Sequence, residues 1–246
     1  MGEAQRVLLL DGLKAVGVAA DAAAAEKVLR HLELVAEWNE KINLTAIKDA
    51  PGMIIKHAVD SAVLLGVAEV PRAAMVADVG TGAGFPGVIL KCLRPDIRLV
   101  LIDSLQKRCR FLEAACTELF GESSFRDGSV KVVWGRAEEV GRKAEFREQA
   151  EIVCARAVAD LRILIEYCLP LARVGGEFWA MKGPEVTEEL AGAGRAIRTL
   201  GGELGRVAAV ELPAGAGGRS LIQVRKVAHT PKDFPRKAGT PEKSPL

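Results

Sequence analysis

The chain has 246 residues, of which 49% are hydrophobic and 27% charged, enough for one α/β domain with a substantial core plus additional segments. A formal net charge of +2 is too small to indicate a nucleic-acid-binding protein by itself, so charge has to be considered locally. The cysteines include no C-x-x-C pair, which argues against zinc and fits reduced thiols in a cytosolic protein; they are Cys92, Cys109, Cys116, Cys154 and Cys168.

The first residues predict neither a signal peptide nor a membrane anchor. Asp11 and Lys14 interrupt the apolar stretch of residues 1–17, and no contiguous run approaches the ~18 apolar residues that span a bilayer. We therefore expect a cytoplasmic protein.

Two helices are predicted before residue 70. Asp21 has the side chain of an N-cap, and apolar residues follow it at helical spacing up to residue 38. Pro51 is typical of a first helical turn and begins a second helix that ends near Leu65. We predict that residues 1–70 form a small helical appendage.

Strands and helices alternate from residue 75 onwards. Five short apolar strands, each followed by a helical segment, predict a mostly parallel twisted sheet with helices on both faces. Ser104 and Asp160 are the expected caps of the helices after the second and fourth strands. Two further strands around a Gly-rich turn predict an antiparallel hairpin at one edge. This is a Rossmann-like α/β plan, over residues 71–228.

The remaining residues, 229–246, predict a basic, Pro-rich tail. They contain four prolines, four Lys or Arg residues and two acids, so we expect an extended segment with little to bury.

The stretch "VADVGTGAGFPG", residues 76–87, follows the first strand. From Gly82 it matches G-x-G-x-x-G, and Asp103 follows about twenty residues later, as in dinucleotide-binding turns. Three features argue against a pyrophosphate. Pro86 lacks an N–H donor in the first helical turn, Asp78 adds a negative charge, and the match is out of frame with the strand end before Gly80.

S-adenosylmethionine (SAM) fits this loop better, because it has a cationic amine and no phosphate. Asp78 would offset the ammonium group directly or through water. Glycines at Gly80, Gly82 and Gly84 would let the backbone approach the methionine moiety. The loop and its context therefore favour SAM over NAD.

Ligands of open α/β sheets bind at the carboxyl ends of the strands, which predicts the rest of the site. Asp103 is placed to accept hydrogen bonds from ribose hydroxyls, although an acid there also suits the start of a helix. Ala137 and Glu138 would present an N–H and a carboxylate to adenine, or Glu138 is simply a solvated acid. Arg156 lies at the mouth of the cleft.

Several segments in the same order and spacing resemble the bacterial 16S rRNA guanine-N7 methyltransferase family, also known as small-subunit rRNA methyltransferase G or glucose-inhibited division protein B. They are "WNEKINLTAI", "HAVDS", "VADVGTGAGFPGVIL", "LIDSLQKRCRFL", "ARAVADL", "EFWAMKG" and "TPKDFPRKAGTPEKSPL". The resemblance implies a SAM-dependent methyltransferase that acts on N7 of a guanine in the decoding region. Its cofactor positions fall on Gly80, Phe85, Ala137, Glu138 and Arg156, with Asp103 at the ribose.

Guanine N7 carries an in-plane lone pair and no proton, so its methylation needs positioning and desolvation rather than a general base. We accordingly assign no catalytic base. The candidates for positioning the substrate RNA are Arg156 and Lys182. Further phosphates of the RNA would be bound by Lys232, Arg236 and Lys237. A solvated, disordered tail is the alternative reading of those last three residues.

Two other functions stay open at this point. Cys154 would be the nucleophile of a C5-pyrimidine RNA methyltransferase, although its sequence context differs from what that chemistry requires. A non-catalytic assembly factor that binds SAM and rRNA is the second.

His57, Asp60 and Ser61 share one helical face. We interpret this face as a structural hydrogen-bond network, and a surface that docks the substrate is the second interpretation. We expect a monomer without a metal.

Overall fold

A seven-stranded mixed sheet organises the protein, and the computed structural model describes residues 1–156 and 159–246. The strands are β1 (Met75–Val79), β2 (Arg98–Asp103), β3 (Val130–Trp134), β4 (Ala150–Arg156), β5 (Ala172–Lys182), β6 (Gly202–Leu212) and β7 (Gly217–Lys226). Their order is β3-β2-β1-β4-β5-β7-β6, with β1 to β5 parallel and β7 antiparallel to both of its neighbours. The predicted mostly parallel sheet with an antiparallel edge hairpin is confirmed. Ala157 and Val158 of the "ARAVADL" segment lie outside the described residues.

Helices cover both faces of the sheet. They are α1 (Glu3–Ala15), α2 (Ala22–Asn39), α3 (Ala50–Met53), a π-helical turn (Ile54–Val59), α4 (Asp60–Val67), α5 (Gly87–Leu93), α6 (Gln106–Phe120), α7 (Ser123–Arg126), α8 (Ala137–Val140), α9 (Leu161–Cys168), α10 (Thr187–Thr199) and α11 (Thr240–Lys243). Successive strand residues enter different core clusters: Val76 and Leu101 join the N-terminal helices, whereas Ala77 and Val100 pack with α9 and α10. Period-two alternation therefore builds two cores, one on each face.

The N-terminal region contains more helix than the sequence analysis predicts. Asp21 is the N-cap of α2 as expected, with its side chain accepting the Ala24 N–H at 2.7 Å. A further helix, α1, buries Leu9 and Leu13 against the same core. The second predicted helix begins one residue before Pro51, and its middle is a π-helical turn, a feature that often occurs at functional sites.

The helical stretch Ala50–Val67 passes a length and hydropathy test for a membrane span, at mean hydropathy 1.3, although contiguous apolar runs did not reveal it. It is 56% buried within the protein, where it packs against α1, α2 and α5. A buried core helix passes the same test, so this single stretch is weak evidence for a membrane.

Two local expectations are wrong. Ser104 does not cap α6; the side chain of Asp103 accepts the Leu105 N–H at 2.8 Å instead. Pro86 does not lie in the first turn of α5 but immediately precedes the helix, which begins at Gly87. In both cases the backbone conformation of the preceding loop moves the helix start by one or two residues.

The predicted extended tail with little to bury is also wrong. Thr230 and Pro241 are buried, and the segment ends in the short helix α11. Arg236 forms a two-pronged ion pair with Glu166 of α9, whose side chain is 1% exposed. Hydropathy misses this docking because buried ion pairs and hydrogen bonds to groups far away in sequence hold the segment, together with the apolar side chains of Phe234 and Leu246.

Candidate cofactor and substrate site

The glycine-rich loop after β1 rests on a buried carboxylate. Asp78 is fully buried, and its Oδ2 accepts the N–H of Gly87, the first residue of α5, at 2.8 Å. Burial raises the pKa of Asp78 to about 6. Because the carboxylate already binds this helix N–H, the turn is poorly suited to a pyrophosphate. Asp78 lines neither cleft and shapes the loop from within, while its predicted interaction with the ammonium group, directly or through water, stays a prediction.

The three predicted glycines of the loop have different surroundings. Gly80, Gly82 and Gly84 all have positive φ angles, of 72°, 60° and 88°. Gly80 and Gly82 line a cleft, and a Cβ on Gly82 would have open space around it. A Cβ on Gly84 would lie 2.6 Å from Val88 Cγ2, which is inside the core. Gly84 is therefore needed for packing and does not line the cleft.

Alanine substitutions should separate these roles. A positive φ costs an alanine about 1 kcal/mol, so Gly82→Ala should lose about that much free energy of unfolding. Gly84→Ala should lose about 3 kcal/mol, because its Cβ also overlaps Val88. Urea unfolding of the two variants measures the difference. Equal stabilities would contradict the inward orientation of Gly84.

Two clefts open at the carboxyl ends of the strands and meet at Gly80, which lines both. The smaller cleft has a volume of about 110 Å³ and lies over the ends of β2 and β3. The larger has a volume of about 570 Å³ and lies between the glycine loop, the N-terminal helices and β5. The site thus has two compartments joined at the loop.

The smaller cleft brings together Asp103, Ala137 and Glu138, as predicted. Asp103 is 3% exposed, and its carboxylate accepts the N–H groups of Gly82 at 3.0 Å and Leu105 at 2.8 Å. It therefore ties the loop to the end of β2. Glu138 is 2% exposed and is not a solvated acid.

Phe85 forms an aromatic wall of the larger cleft. His57 stacks on its ring at 4.6 Å between centroids with an interplanar angle of 14°. The Arg156 guanidinium carbon lies 5.3 Å from the same ring centroid, within cation–π range. Arg156 also donates to the backbone oxygen of Lys56 at 3.2 Å. The His57 imidazole and the Arg156 guanidinium are thus both held against the Phe85 ring.

Asp60 links two arginines at this cleft. Its Oδ2 accepts from Arg156 at 2.9 Å and its Oδ1 from Arg219 at 2.9 Å, and its side chain is 7% exposed. His57 and Asp60 therefore belong to the site, whereas the Ser61 hydroxyl bonds to the His57 backbone within the helix. Arg219 is missed entirely, because nothing in its local sequence distinguishes it from a hairpin arginine.

The predicted cationic residues divide into three groups. Lys182 lines the larger cleft, where its Nζ binds the Ala159 backbone oxygen at 2.7 Å and Glu189 at 2.8 Å. Lys232 and Lys237 are exposed on the C-terminal segment and do not line either cleft. Arg236 is committed to Glu166, so the structure does not support its predicted role at phosphates.

A family model described as "GidB: rRNA small subunit methyltransferase G" matches residues 24–215. The chain belongs to this family. Relatives named Ribosomal RNA small subunit methyltransferase G span nearly all of it. The relative from Symbiobacterium thermophilum is 57% identical over 243 residues, covering 99% of this chain and 98% of the relative. The relative from Alkaliphilus oremlandii is 41% identical over 239 residues, covering 97% and 98%.

Solved structures share the fold of this GidB family member. Methanococcus jannaschii fibrillarin, a pre-rRNA processing protein, superposes with a TM-score of 0.51 at 14% identity, covering 68% of this chain and 74% of that one. A protein from Agrobacterium tumefaciens, described as a predicted O-methyltransferase, gives 0.50 at 20% identity, covering 66% and 77%. The expected Rossmann-like methyltransferase fold is confirmed.

The residues of the GidB-family site fit SAM, the cofactor of this class of methyltransferase. The smaller cleft offers the carboxylates that ribose hydroxyls and an amino group require. Because Gly82 has no Cβ, the space beside it is open to a ligand. The buried Oδ1 of Asp78 has no hydrogen-bond partner among the described residues, leaving the loop electronegative toward a cationic ligand.

His57 makes the stability of the protein sensitive to acid. Burial, followed by the nearby Arg156, lowers its pKa from 6.5 to about 4, so the folded state resists protonation. Its stabilising contribution is complete above pH 6.5 and is lost as the pH falls through 4. A His57→Gln variant cannot titrate there. Between pH 7 and 4.5 its free energy of unfolding should fall about 2 kcal/mol less than that of the wild type in urea titrations. If the free energies of unfolding of the wild type and of His57→Gln changed with pH in parallel, the burial of His57 would be contradicted.

Proposed function

We propose that the protein transfers the methyl group of SAM to N7 of a guanine in 16S rRNA, in the decoding region of the small subunit. The observation that carries this proposal is the pair of clefts that meet at Gly80, one acidic and one cationic. Family membership and the names of the relatives support the rRNA substrate.

The smaller cleft is the proposed adenosine site. Asp103 would accept hydrogen bonds from the ribose, while Ala137 and Glu138 would contact the adenine edge. The methionine end would lie along Gly80 and Gly82, directed toward the larger cleft. Bound SAM would supply an electrophilic methyl group at the junction of the two clefts.

The larger cleft is the proposed guanine site. Its aromatic and cationic wall consists of His57 with Phe85 and Arg156, which the resemblance also places at the cofactor, and Lys182 lines the same cleft. RNA bases are commonly recognised by stacking on aromatic and guanidinium planes. These residues would hold guanine with its N7 lone pair toward Gly80 and would exclude water from the reacting atoms.

No general base is needed, and the cleft residues agree with this. The His57 Nε2 bonds to Thr45 Oγ1 at 2.6 Å, and its low pKa makes it a weak base. Asp60 and Glu189 are both ion-paired. The residues of the cleft therefore position the guanine and desolvate it.

The C5-pyrimidine alternative fails on geometry. Cys154 is fully buried in β4 and lines neither cleft. Burial raises its pKa well above the ordinary value, which disfavours the thiolate nucleophile that this mechanism requires.

The domain division that we propose follows the clefts. Residues 1–70 contribute Lys56, His57 and Asp60 to the guanine side, and residues 71–228 carry the SAM site. Residues 229–246 present Lys232 and Lys237 to RNA phosphates. We further propose a monomer that works without a metal, which light scattering and elemental analysis of the purified protein would check.

Mass mapping of 16S rRNA from cells with and without the protein tests the proposal. Loss of one N7-methylguanosine, restored by the wild-type gene but not by an Asp103→Ala gene, is the expected result. An unchanged methylation map would overturn the proposed function. Restoration by the Asp103→Ala variant would instead contradict the cofactor assignment.

A further inference from the structure

The C-terminal segment, residues 230–246, is tied to the methyltransferase fold by polar anchors, of which Glu166 is fully buried. Glu166 of α9 accepts both the backbone N–H of Arg236, at 2.8 Å, and its guanidinium. Arg147 donates to the backbone oxygens of Thr230 and Phe234, each at 2.8 Å. These contacts fix the path of the backbone, so the position of the residues that follow is determined.

This path brings the segment to the smaller cleft. The N–H of Gly239 donates to Oε1 of Glu138 at 2.8 Å, which orients that carboxylate. One helical turn later, Oε1 of Glu242 accepts the Tyr167 hydroxyl at 3.0 Å. Tyr167 and Glu242 both line the cleft, together with Asp103. The C-terminal segment is therefore one wall of this compartment.

The chemistry of that wall suits a neutral nucleoside rather than a phosphate. Asp103, Glu138 and Glu242 contribute three carboxylates, against one cation, Arg136. Carboxylates accept hydrogen bonds from hydroxyl and amino groups and repel anions. Burial raises the pKa of Tyr167, so its hydroxyl stays protonated and keeps donating to Glu242.

We propose that the C-terminal segment forms the outer wall of the adenosine pocket and that Glu242 is a cofactor-binding residue, held in place by Tyr167. Glu242 accepts a hydrogen bond from the adenosine moiety, and Gly239 sets the orientation of Glu138 for the same ligand. This inference rests on the proposed SAM site. It extends that site to a residue 75 positions away from Tyr167 in sequence.

Calorimetric binding of S-adenosylhomocysteine to the full-length protein tests the inference without RNA. Glu242→Gln should weaken binding about five- to tenfold, because a neutral amide replaces a charged acceptor. Binding of methylthioadenosine, which lacks the amino-acid end, should weaken by the same factor. Glu139→Gln makes the same charge change on the neighbouring helix, outside the cleft, and should bind both ligands like the wild type.

A variant that ends at Gly239 removes the helix α11 and is expected to lose at least as much affinity. Affinities of Glu242→Gln and of this shortened chain within twofold of the wild type would overturn the inference and leave the proposed function standing. A wild-type protein that binds neither ligand would overturn both the inference and the SAM site.

Discussion

Replacing Asp60 with asparagine is expected to reduce methyl transfer to rRNA about a hundredfold. The carboxylate neutralises both Arg156 and Arg219, and the Asp60 side chain is only 7% exposed. An amide would leave two cationic groups at the larger cleft without their counter-charge, and the Arg156 guanidinium would leave the face of Phe85. The free energy of unfolding should fall by about 2 kcal/mol, less than for a fully buried pair because both arginines are partly exposed.

The binding profile identifies the role of Asp60. Affinity for S-adenosylhomocysteine should change less than threefold, because Asp60 does not line the smaller cleft. Ser61→Ala is the matched control one residue along the helix, since it removes only a hydroxyl bonded to the backbone. It should retain activity within twofold. A destabilised Asp60→Asn protein with normal methyl transfer would show that the two ion pairs are only structural.

Replacing Asp103 with alanine is expected to weaken binding of S-adenosylhomocysteine about a hundredfold. The carboxylate is the proposed ribose partner, and it also holds the loop through the N–H of Gly82. Its loss removes a charged acceptor and loosens the glycine loop at which the two clefts meet. Binding of 16S rRNA fragments should stay within threefold, because the cationic larger cleft is intact.

Asp127→Ala is the control for Asp103→Ala. Asp127 accepts the N–H of Ser129, two residues along, at 2.8 Å, just as Asp103 accepts that of Leu105. It lines neither cleft, so its removal should cost some stability and no ligand affinity. Should both variants bind S-adenosylhomocysteine equally well by calorimetry, Asp103 would have no part in the cofactor site.

Much of the sheet could be predicted from short stretches of sequence. Apolar strands, turn residues and helix caps act over a few residues, and Asp21, Asp103 and Glu138 each follow from such patterns. The carboxyl-end rule then placed Asp103, Ala137 and Glu138 in one cleft, because parallel strands bring their ends to the same edge.

Contacts between distant segments escaped the same reasoning. The orientation of Gly84 toward Val88 depends on how α5 packs, and regular spacing in the glycine motif does not reveal it. The π-helical turn that precedes Asp60 also lies beyond a 3.6-residue pattern. The docking of residues 230–246 depends on Glu166 and Glu148, both more than sixty residues away in the chain.

The sequence by itself determined the alternating fold, the glycine loop and the character of its ligand, because the Asp78 carboxylate alters the chemistry of the loop locally. Only the tertiary structure decided which charges meet. Asp60 and Arg219 are separated by 159 residues, and Tyr167 and Glu242 by 75. Such pairs form because the path of the folded chain brings them together, and no local propensity encodes that path.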